Sequence, residues 1–231
     1  MVSFIDILGA KEKIINECDL SLNIVHEVYE RALQLYEKSK SSQRLYDDSD
    51  QIEMRIFSDN IVLYTEINDD VTVCFLHLIT LTAFLQAVFL EKGLLVRGGV
   101  AVGDFFADEV MIWGTALVSS YKIENSISIY PRIVIHPSII NAIEDKIVNN
   151  FELVSKDDDA HYYVNYLVEE LYYDYDSIIK KAKSMCESEL ENAHYGKDNE
   201  NKRLVEKIIW QKNYIKRCNE STKSTLGEID V

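Results

Sequence analysis

The feature that most constrains the fold of this chain is a long run without a charged side chain, from Val71 to Leu90. Such a run is long enough for a membrane-spanning helix or for the central helix of a globular core. His77, Gln86 and three threonines interrupt it, and strand-like segments lie close on both sides. We therefore interpret the run as a buried helix in preference to a membrane span.

The composition supports one substantial core. The chain has 231 residues, of which 47% are hydrophobic, and only 8 Gly and 2 Pro, so long flexible linkers are not expected. The formal net charge of -15 repels nucleic acid and anionic membranes, and no basic block reverses it. A small anionic ligand is compatible with this charge if metal ions or local cations screen it.

The cysteines indicate a reducing compartment. Cys18, Cys74, Cys186 and Cys218 lie far apart and form neither a CxxC motif nor a Cys/His metal spacing. A strand-like segment begins at once, with no signal peptide before it. We expect reduced thiols and a cytoplasmic location.

Strand-like and helix-like patterns alternate along the first part of the chain. The predicted strands cover 2–8, 52–57, 61–67, the segment LLVRGGVAVG (94–103) and 131–135, and GDFFADEVMIWG predicts a further hairpin. The predicted helices cover 19–40, the apolar run up to Gly93 with Asp69 or Asp70 as its cap, and 115–125.

This order predicts an α+β fold with a ferredoxin-like βαββαβ core, in which an antiparallel sheet carries helices on one face. After about residue 158 the chain becomes charged and rich in tyrosine, and we interpret it as two further helices. We expect a catalytic domain over 1–158 and a C-terminal helical extension over 159–231.

Two aspartates stand beside or within apolar strand-like segments. Asp6 lies in VSFIDILGAK, and Asp59 lies in FSDNIVLY. Because the first strand and the hairpin are neighbours in this topology, we expect Asp6 and Asp59 to converge at one edge of the sheet. Converging carboxylates repel each other unless divalent metal lies between them, and two ions about 3.5–4 Å apart suit phosphoryl transfer. The plainer interpretation makes Asp59 a turn residue and Asp6 a turn cap.

Three glycines also bear on a ligand site. Gly9 follows the first strand, so the backbone N–H groups of ILGA could form an anion-binding nest. Gly98 and Gly99 stand side by side within a strand, which indicates a bulge or a close approach by another backbone or a ligand.

Five segments, in order along the chain, resemble the class III nucleotide cyclases: FIDILG (Phe4–Gly9), FSDNIVLY (Phe57–Tyr64), RGGVAVGDFF (Arg97–Phe106), WGTALVSSYKIEN (Trp113–Asn125) and YPRIVI (Tyr130–Ile135). In order and spacing they extend over most of the first 136 residues, from Phe4 to Ile135. With the tail segment EKIIWQKNYIKRCN, they are most similar to the bacterial Pycsar pyrimidine cyclases, which make cyclic UMP or cyclic CMP in defence against phage.

The resemblance implies an enzyme that converts UTP or CTP to the 3′,5′-cyclic nucleotide and pyrophosphate. It also implies a head-to-tail homodimer with active sites at the interface. Asp6, Asp59 and the backbone carbonyl of Ile7 would hold two Mg²⁺ or Mn²⁺ ions, which activate the ribose 3′-hydroxyl for attack on the α-phosphate.

The resemblance implies further substrate contacts. Leu8, Gly9 and Ala10 would offer backbone N–H groups to the triphosphate. Phe4 would lie at the substrate site, and Arg97 would contact the base or a phosphate.

The helix of the fourth segment departs from the family pattern. Many class III cyclases carry an Asn there and, four residues on, an Arg that stabilises the transition state; the chain has Val118 and Lys122. Val118 cannot hydrogen-bond, and Lys122 keeps the charge but not the bidentate fork. Either Lys122 is sufficient to stabilise the transition state, or Arg132 or Arg97 takes the place of the missing arginine, or the enzyme is slow. Equally, Lys122 and Glu124 could form a solvated helix face, and Arg132 could pair with an acidic neighbour.

Two alternative functions stay open. One is an adenylate or guanylate cyclase, although the Lys/Asp pair with which purine cyclases read the base is not found at matching positions. The other is a catalytically silent cyclase-like module that binds nucleotide or dimerises. The missing Asn/Arg pair favours the silent module, whereas the presence of Asp6 and Asp59 opposes it.

Overall fold

A computed structural model describes residues 1–42, 52–67, 70–147, 152–193 and 199–227. The chain divides into two compact units, Met1–Tyr166 and Leu167–Val231. The sequence places this division after residue 158. The structure has it later because a strand at Tyr162–Val164 belongs to the sheet of the first unit.

Most of the described strands form one sheet in the first unit. The strands are β1 (Val2–Ile7), β2 (Glu53–Phe57), β3 (Asn60–Tyr64), β4 (Val96–Ala101), β5 (Phe106–Ala107), β6 (Ile112–Trp113), β7 (Ile133–Ile135), β8 (Val154–Lys156) and β9 (Tyr162–Val164). Seven of them pair in the order β2-β3-β1-β4-β7-β9-β8, and β5 with β6 forms a separate hairpin. Neighbours in the large sheet are antiparallel except β4 and β7. The predicted α+β class with a mostly antiparallel sheet is confirmed at this level.

The helices of the first unit are α1 (Ala10–Asn16), α2 (Cys18–Ser42), α3 (Val71–Glu91), α4 (Thr115–Ser126) and α5 (Pro137–Ile147). The sequence predicts α2, α3 and α4 to within a few residues. It misses α1, a short helix that follows Gly9 directly.

The apolar run forms α3. Asp70 caps the helix by accepting a hydrogen bond from the N–H of Thr72 at 2.8 Å, and Gly93 follows the helix with φ 73°. Asp69, the other predicted cap, lies outside the described residues. Within the described ranges α3 is the one helix long and apolar enough to cross a membrane, and most of it is buried inside the protein. This burial supports the interpretation of α3 as a core helix.

Helices cover both faces of the sheet. Thr82 on α3 donates to the hydroxyl of Ser3 at 3.3 Å, whereas Ala116 on α4 packs against Val2 and Phe4. Because successive residues of a strand point to opposite faces, α3 and α4 lie on opposite sides of β1. The two helices of the predicted βαββαβ core, α2 and α3, pack together, whereas α4, which follows the core in sequence, lies on the other face.

Gly99 allows α4 to pack closely on β4, and Gly98 allows close packing within the sheet. A Cβ atom on Gly99 would lie 2.6 Å from the Cβ of Ile123 and would also meet the carbonyl oxygen of Ser120. A Cβ on Gly98 would collide with the carbonyl oxygen of Phe4. Of the predicted alternatives, the close approach by a neighbouring backbone is therefore the one present. It seats α4 directly against β4.

The second unit is helical. A 3₁₀ turn at Glu169–Leu171 precedes α6 (Tyr175–Ala193), and α6 packs against α7 (Asn199–Gly227). The sequence places the first of these two helices from about residue 162. That boundary is wrong, because Tyr162–Val164 forms a strand and α6 begins only at Tyr175.

Candidate functional site

The register of the sheet brings Asp6 and Asp59 together. Asp6 lies directly opposite Asn60, and the N–H of Ile7 donates to the carbonyl of Asp59 at 3.0 Å. Hydrogen-bonded and non-hydrogen-bonded pairs alternate along an antiparallel ladder. Asp6 and Asn60 are therefore a non-hydrogen-bonded pair, the type in which side chains lie closest.

Asn60 contacts Asp59 and lies opposite Asp6 in the ladder. Its side-chain amide donates to Oδ1 of Asp59 at 3.0 Å. Because residues directly opposite each other share a face of the sheet, Asn60 stands on the same face as Asp6. The carboxylate of Asp59 therefore reaches the face on which Asp6 stands.

The turn between β2 and β3 has the predicted location. Phe57 pairs with Asn60, so Ser58 and Asp59 form a two-residue hairpin loop, and Ser58 takes a left-handed φ of 55°. Asp59 is thus a turn residue and also a neighbour of Asp6. The two interpretations of Asp59 are compatible.

Arg97 occupies the other side of Asp6. It lies opposite Asp6 on β4, and its Nε donates to Oδ2 of Asp6 at 3.1 Å. Its Nη2 lies 2.6 Å from Oε1 of Glu124 on α4. The side chains of Arg97, Asp6 and Glu124 are 23%, 19% and 5% exposed, respectively. One guanidinium therefore links two carboxylates that come from different elements.

Glu124 is a site residue that the sequence analysis misjudged. The interpretation of Glu124 as part of a solvated helix face is wrong, whereas Lys122 is exposed. The signal for its burial is the four-residue spacing of Ala116, Ser120 and Glu124, which puts the three side chains on one face of α4.

The oxygen donors at this edge fit a hard divalent cation. Mg²⁺ and Mn²⁺ prefer carboxylate, carbonyl, water and phosphate oxygens, and Mg²⁺ is commonly held by one or two carboxylates together with substrate phosphates. Asp6 and Asp59 supply two carboxylates, and Ile7, which follows Asp6 and is hydrogen-bonded to the backbone of Asp59, supplies a backbone carbonyl. In the described parts of the chain, no group of three or more His, Cys, Asp or Glu side chains forms a larger metal site.

The backbone after β1 offers a smaller anion nest than predicted. The N–H of Leu8 donates to the carbonyl of Leu95 at 2.9 Å, so the expectation that Leu8 offers this group to a triphosphate is wrong. Gly9 is exposed with φ 72°, and a side chain there would meet no atom within 4 Å. Gly9 and Ala10, which begins α1, remain the candidates for phosphate contact.

Phe4 and the residues of α4 fall into different environments. Phe4 is buried, and its ring meets the ring of Tyr121 edge-on with centroids 5.5 Å apart. Val118 is 52% exposed, and Lys122 is exposed beside it on the outer side of α4. The substrate contacts predicted for Phe4 and Lys122 stay predictions.

Arg132 is buried and forms ion pairs with one buried and one exposed carboxylate. Its guanidinium contacts the carboxylates of Asp157 and Asp159, and it lies over the ring of Tyr130 at 5.6 Å. Partial burial raises the pKa of Asp159, but hydrogen bonds from Arg132 and from the N–H of His161 outweigh this and leave the pKa below its usual 3.8. These contacts agree with the interpretation of Arg132 as a residue that pairs with an acidic neighbour.

No protein-family model matches the chain, and no curated protein matches it. The function proposed next is therefore supported by the residues and contacts described above and by the motif resemblance.

Proposed function

We propose that the chain is a metal-dependent nucleotide cyclase of the class III type, which converts UTP or CTP to the 3′,5′-cyclic nucleotide and pyrophosphate. The observation that carries the proposal is the link from Asp59 to Asn60, which lies opposite Asp6. The order β2-β3-β1-β4 within the sheet supports a ferredoxin-like core of the kind that this class uses.

Each residue of the site has a role in this proposal. Asp6 and Asp59 would hold the cations, with the carbonyl of Ile7 as a further ligand. Bound Mg²⁺ or Mn²⁺ would supply Lewis acidity toward the ribose 3′-hydroxyl and neutralise charge on the phosphates. Gly9 and Ala10 donate backbone N–H groups to the phosphate chain. They orient it so that the α-phosphorus faces the hydroxyl.

Exposed apolar side chains support a homodimer. They are concentrated in the β5–β6 hairpin, the end of β4 and the outer side of α4: Val102, Phe106, Val110, Met111, Trp113, Val118 and Tyr121. Clusters of exposed apolar residues of this kind mark interaction surfaces. We infer that two copies associate through this surface, defined by these seven residues. Lys122 lies beside it and would reach the substrate held by the other copy.

The biological setting follows from the resemblance to Pycsar cyclases. The cyclic nucleotide would act as a cytoplasmic second messenger in defence against phage, read by a separate effector. The net charge of -15 agrees with a small-molecule substrate and opposes binding to nucleic acid.

A silent nucleotide-binding module is the second candidate, and two observations favour it. Arg97 already neutralises part of the charge of Asp6, and Val118 offers no hydrogen bond where many class III cyclases carry an Asn. Such a module would bind nucleotide or dimerise without turnover.

The test is to incubate the purified protein with each of the four ribonucleoside triphosphates and Mn²⁺. Chromatography then separates the products, and released pyrophosphate is measured in parallel. Cyclic UMP or cyclic CMP supports the proposal. Cyclic AMP or cyclic GMP would replace it with a purine cyclase, and no product from any triphosphate would favour the silent module.

A further inference from the structure

We propose that Arg97 acts as a built-in counter-ion that competes with the divalent cation for Asp6, and that Glu124 is the positioning residue that retains Arg97 when the cation binds. This inference rests on the proposed metal site and extends it to a residue on α4. Its basis is the single guanidinium that contacts Asp6 at 3.1 Å and Glu124 at 2.6 Å.

Glu124 is placed for this role by backbone packing. Its side chain is 5% exposed, and a carboxylate buried to this degree needs a charged partner to offset the loss of hydration. The close approach of Ser120 and Ile123 to Gly99 brings Glu124 over the strand that carries Arg97. The distance between Glu124 and β4 is therefore set by the tight packing of Ser120 and Ile123 on the strand and not by a flexible surface pair.

The two carboxylates use different nitrogens of Arg97. Nε donates to Asp6, and Nη2 contacts Glu124. The guanidinium can therefore release Asp6 and keep its contact with Glu124, so cation binding does not leave the arginine without a carboxylate. Without the contact to Glu124, Arg97 would have no carboxylate partner after it leaves Asp6. Displacing Arg97 from Asp6 would then cost more free energy, and the cation would bind more weakly.

A charge-neutral double variant separates direct competition from long-range electrostatics. Arg97→Met with Glu124→Gln removes one positive and one negative charge, so the net charge of the site is unchanged. Replacing a buried ion pair by uncharged side chains of similar size is often tolerated by the fold. Direct competition predicts that this variant binds Mn²⁺ about fivefold more tightly than the unmodified protein, because Asp6 loses its competitor.

A second variant tests Glu124 alone. Glu124→Asp keeps the charge but shortens the side chain, so the contact with Arg97 is lost while long-range electrostatics are preserved. We expect Mn²⁺ affinity to fall by about twofold or more. Glu109→Gln, an exposed carboxylate of the β5–β6 hairpin, is the control for removing one negative charge elsewhere and should leave the affinity unchanged.

Mn²⁺ binding is measured on the substrate-free protein by the electron paramagnetic resonance signal of free Mn²⁺, with circular dichroism to confirm folding. Tighter binding by the double variant and weaker binding by Glu124→Asp support the inference. A double variant that binds Mn²⁺ like the unmodified protein overturns it even if that protein has cyclase activity. Absence of Mn²⁺ binding by the unmodified protein overturns it as well. If the affinities follow the expected order but no triphosphate is turned over, the proposed function fails and the inference stands.

Discussion

Tyr64 donates its phenolic hydroxyl to Oε2 of Glu53 at 2.6 Å, directly across the ladder that joins β2 and β3. The pair lies at the end of the hairpin opposite to Asp59. A slip of one residue in this ladder would turn every side chain of β2 to the other face relative to β3. A specific cross-strand pair at Tyr64 therefore helps to fix the register of the hairpin that presents Asp59.

The first prediction concerns the ionisation of Tyr64. Burial, followed by the hydrogen bond to Glu53, raises the pKa of Tyr64 from 10.0 to about 12. Because the folded state favours the neutral phenol, this contribution to stability is complete below pH 10 and is lost as the pH rises toward 12. The difference in phenolate absorbance between the unmodified protein and Tyr64→Phe should show one tyrosine that ionises near pH 12. Ionisation near pH 10 in the folded protein would contradict the burial of Tyr64 and its hydrogen bond to Glu53.

The second prediction concerns Asp59. Asp59→Ala should abolish turnover and change the free energy of unfolding by no more than about 1 kcal/mol, because the backbone hydrogen bond to Ile7 is kept and a carboxylate near Asp6 is removed. Chemical denaturation and the product assay measure the two effects. Asp158→Ala, in the exposed turn between β8 and β9, is the matched control and should keep full turnover. Unfolding of Asp59→Ala would show that its turn role dominates.

The third prediction concerns Gly99. Gly99→Ala should lower the free energy of unfolding by about 1–3 kcal/mol, because the new Cβ atom meets the backbone of Ser120 and the side chain of Ile123. Urea denaturation measures the loss. Val118→Ala, on the exposed side of the same helix, should change stability by no more than about 0.5 kcal/mol. Equal stability of the two variants would mean that α4 can move away from the sheet at little cost.

The fourth prediction concerns acid stability. Asp159 keeps a pKa below 3.8 because Arg132 and the N–H of His161 stabilise its charged form against the effect of burial. The contribution of this carboxylate to stability is therefore present above pH 3.8 and is lost as the pH falls through the lower folded-state pKa. Asp159→Asn should be less stable than the unmodified protein at pH 7, and the difference should shrink below pH 3.8. A difference that does not change with pH would point to packing alone.

The fifth prediction concerns the exposed apolar surface. Trp113 is 75% exposed on β6, and Trp113→Glu should convert the proposed dimer to a monomer in sedimentation velocity experiments. Turnover should fall with dimerisation, because the active sites would lie at the interface. Tyr173→Glu, an exposed aromatic of the second unit, is the control and should leave the dimer intact. A monomeric Trp113→Glu that keeps full turnover would exclude an interfacial active site.

The parts of the fold that could be predicted have strong local signals. The uncharged run gives α3, and the β-branched runs around Ser58 and Asp59 give the β2–β3 hairpin. The proximity of Asp6 and Asp59 follows from these elements. A tight turn forces β2 and β3 to pair, and β1 then pairs with β3, which places the end of β1 beside the turn that carries Asp59.

The parts that could not be predicted depend on tertiary packing. The spacing of Ala116, Ser120 and Glu124 along α4 indicates a common face, but it does not report which strand that face covers, so the contact between Glu124 and Arg97 was missed. The strands β8 and β9 have only three residues each. The tyrosine-rich segment around β9 has no clear periodicity that would distinguish a strand from a helix. The ion pairs of Arg132 join residues that are distant in sequence and carry no local signal.

Gly99 has a consequence for how this protein can diverge. The gap between α4 and β4 has no room for a Cβ atom at this position, which would lie 2.4 Å from the carbonyl oxygen of Ser120 and 2.6 Å from the Cβ of Ile123, so a larger residue would displace the helix relative to Asp6. Selection can therefore vary the chemistry of α4 chiefly on its outer side. Val118 and Lys122 stand there, at the positions where this chain departs from the usual cyclase pattern.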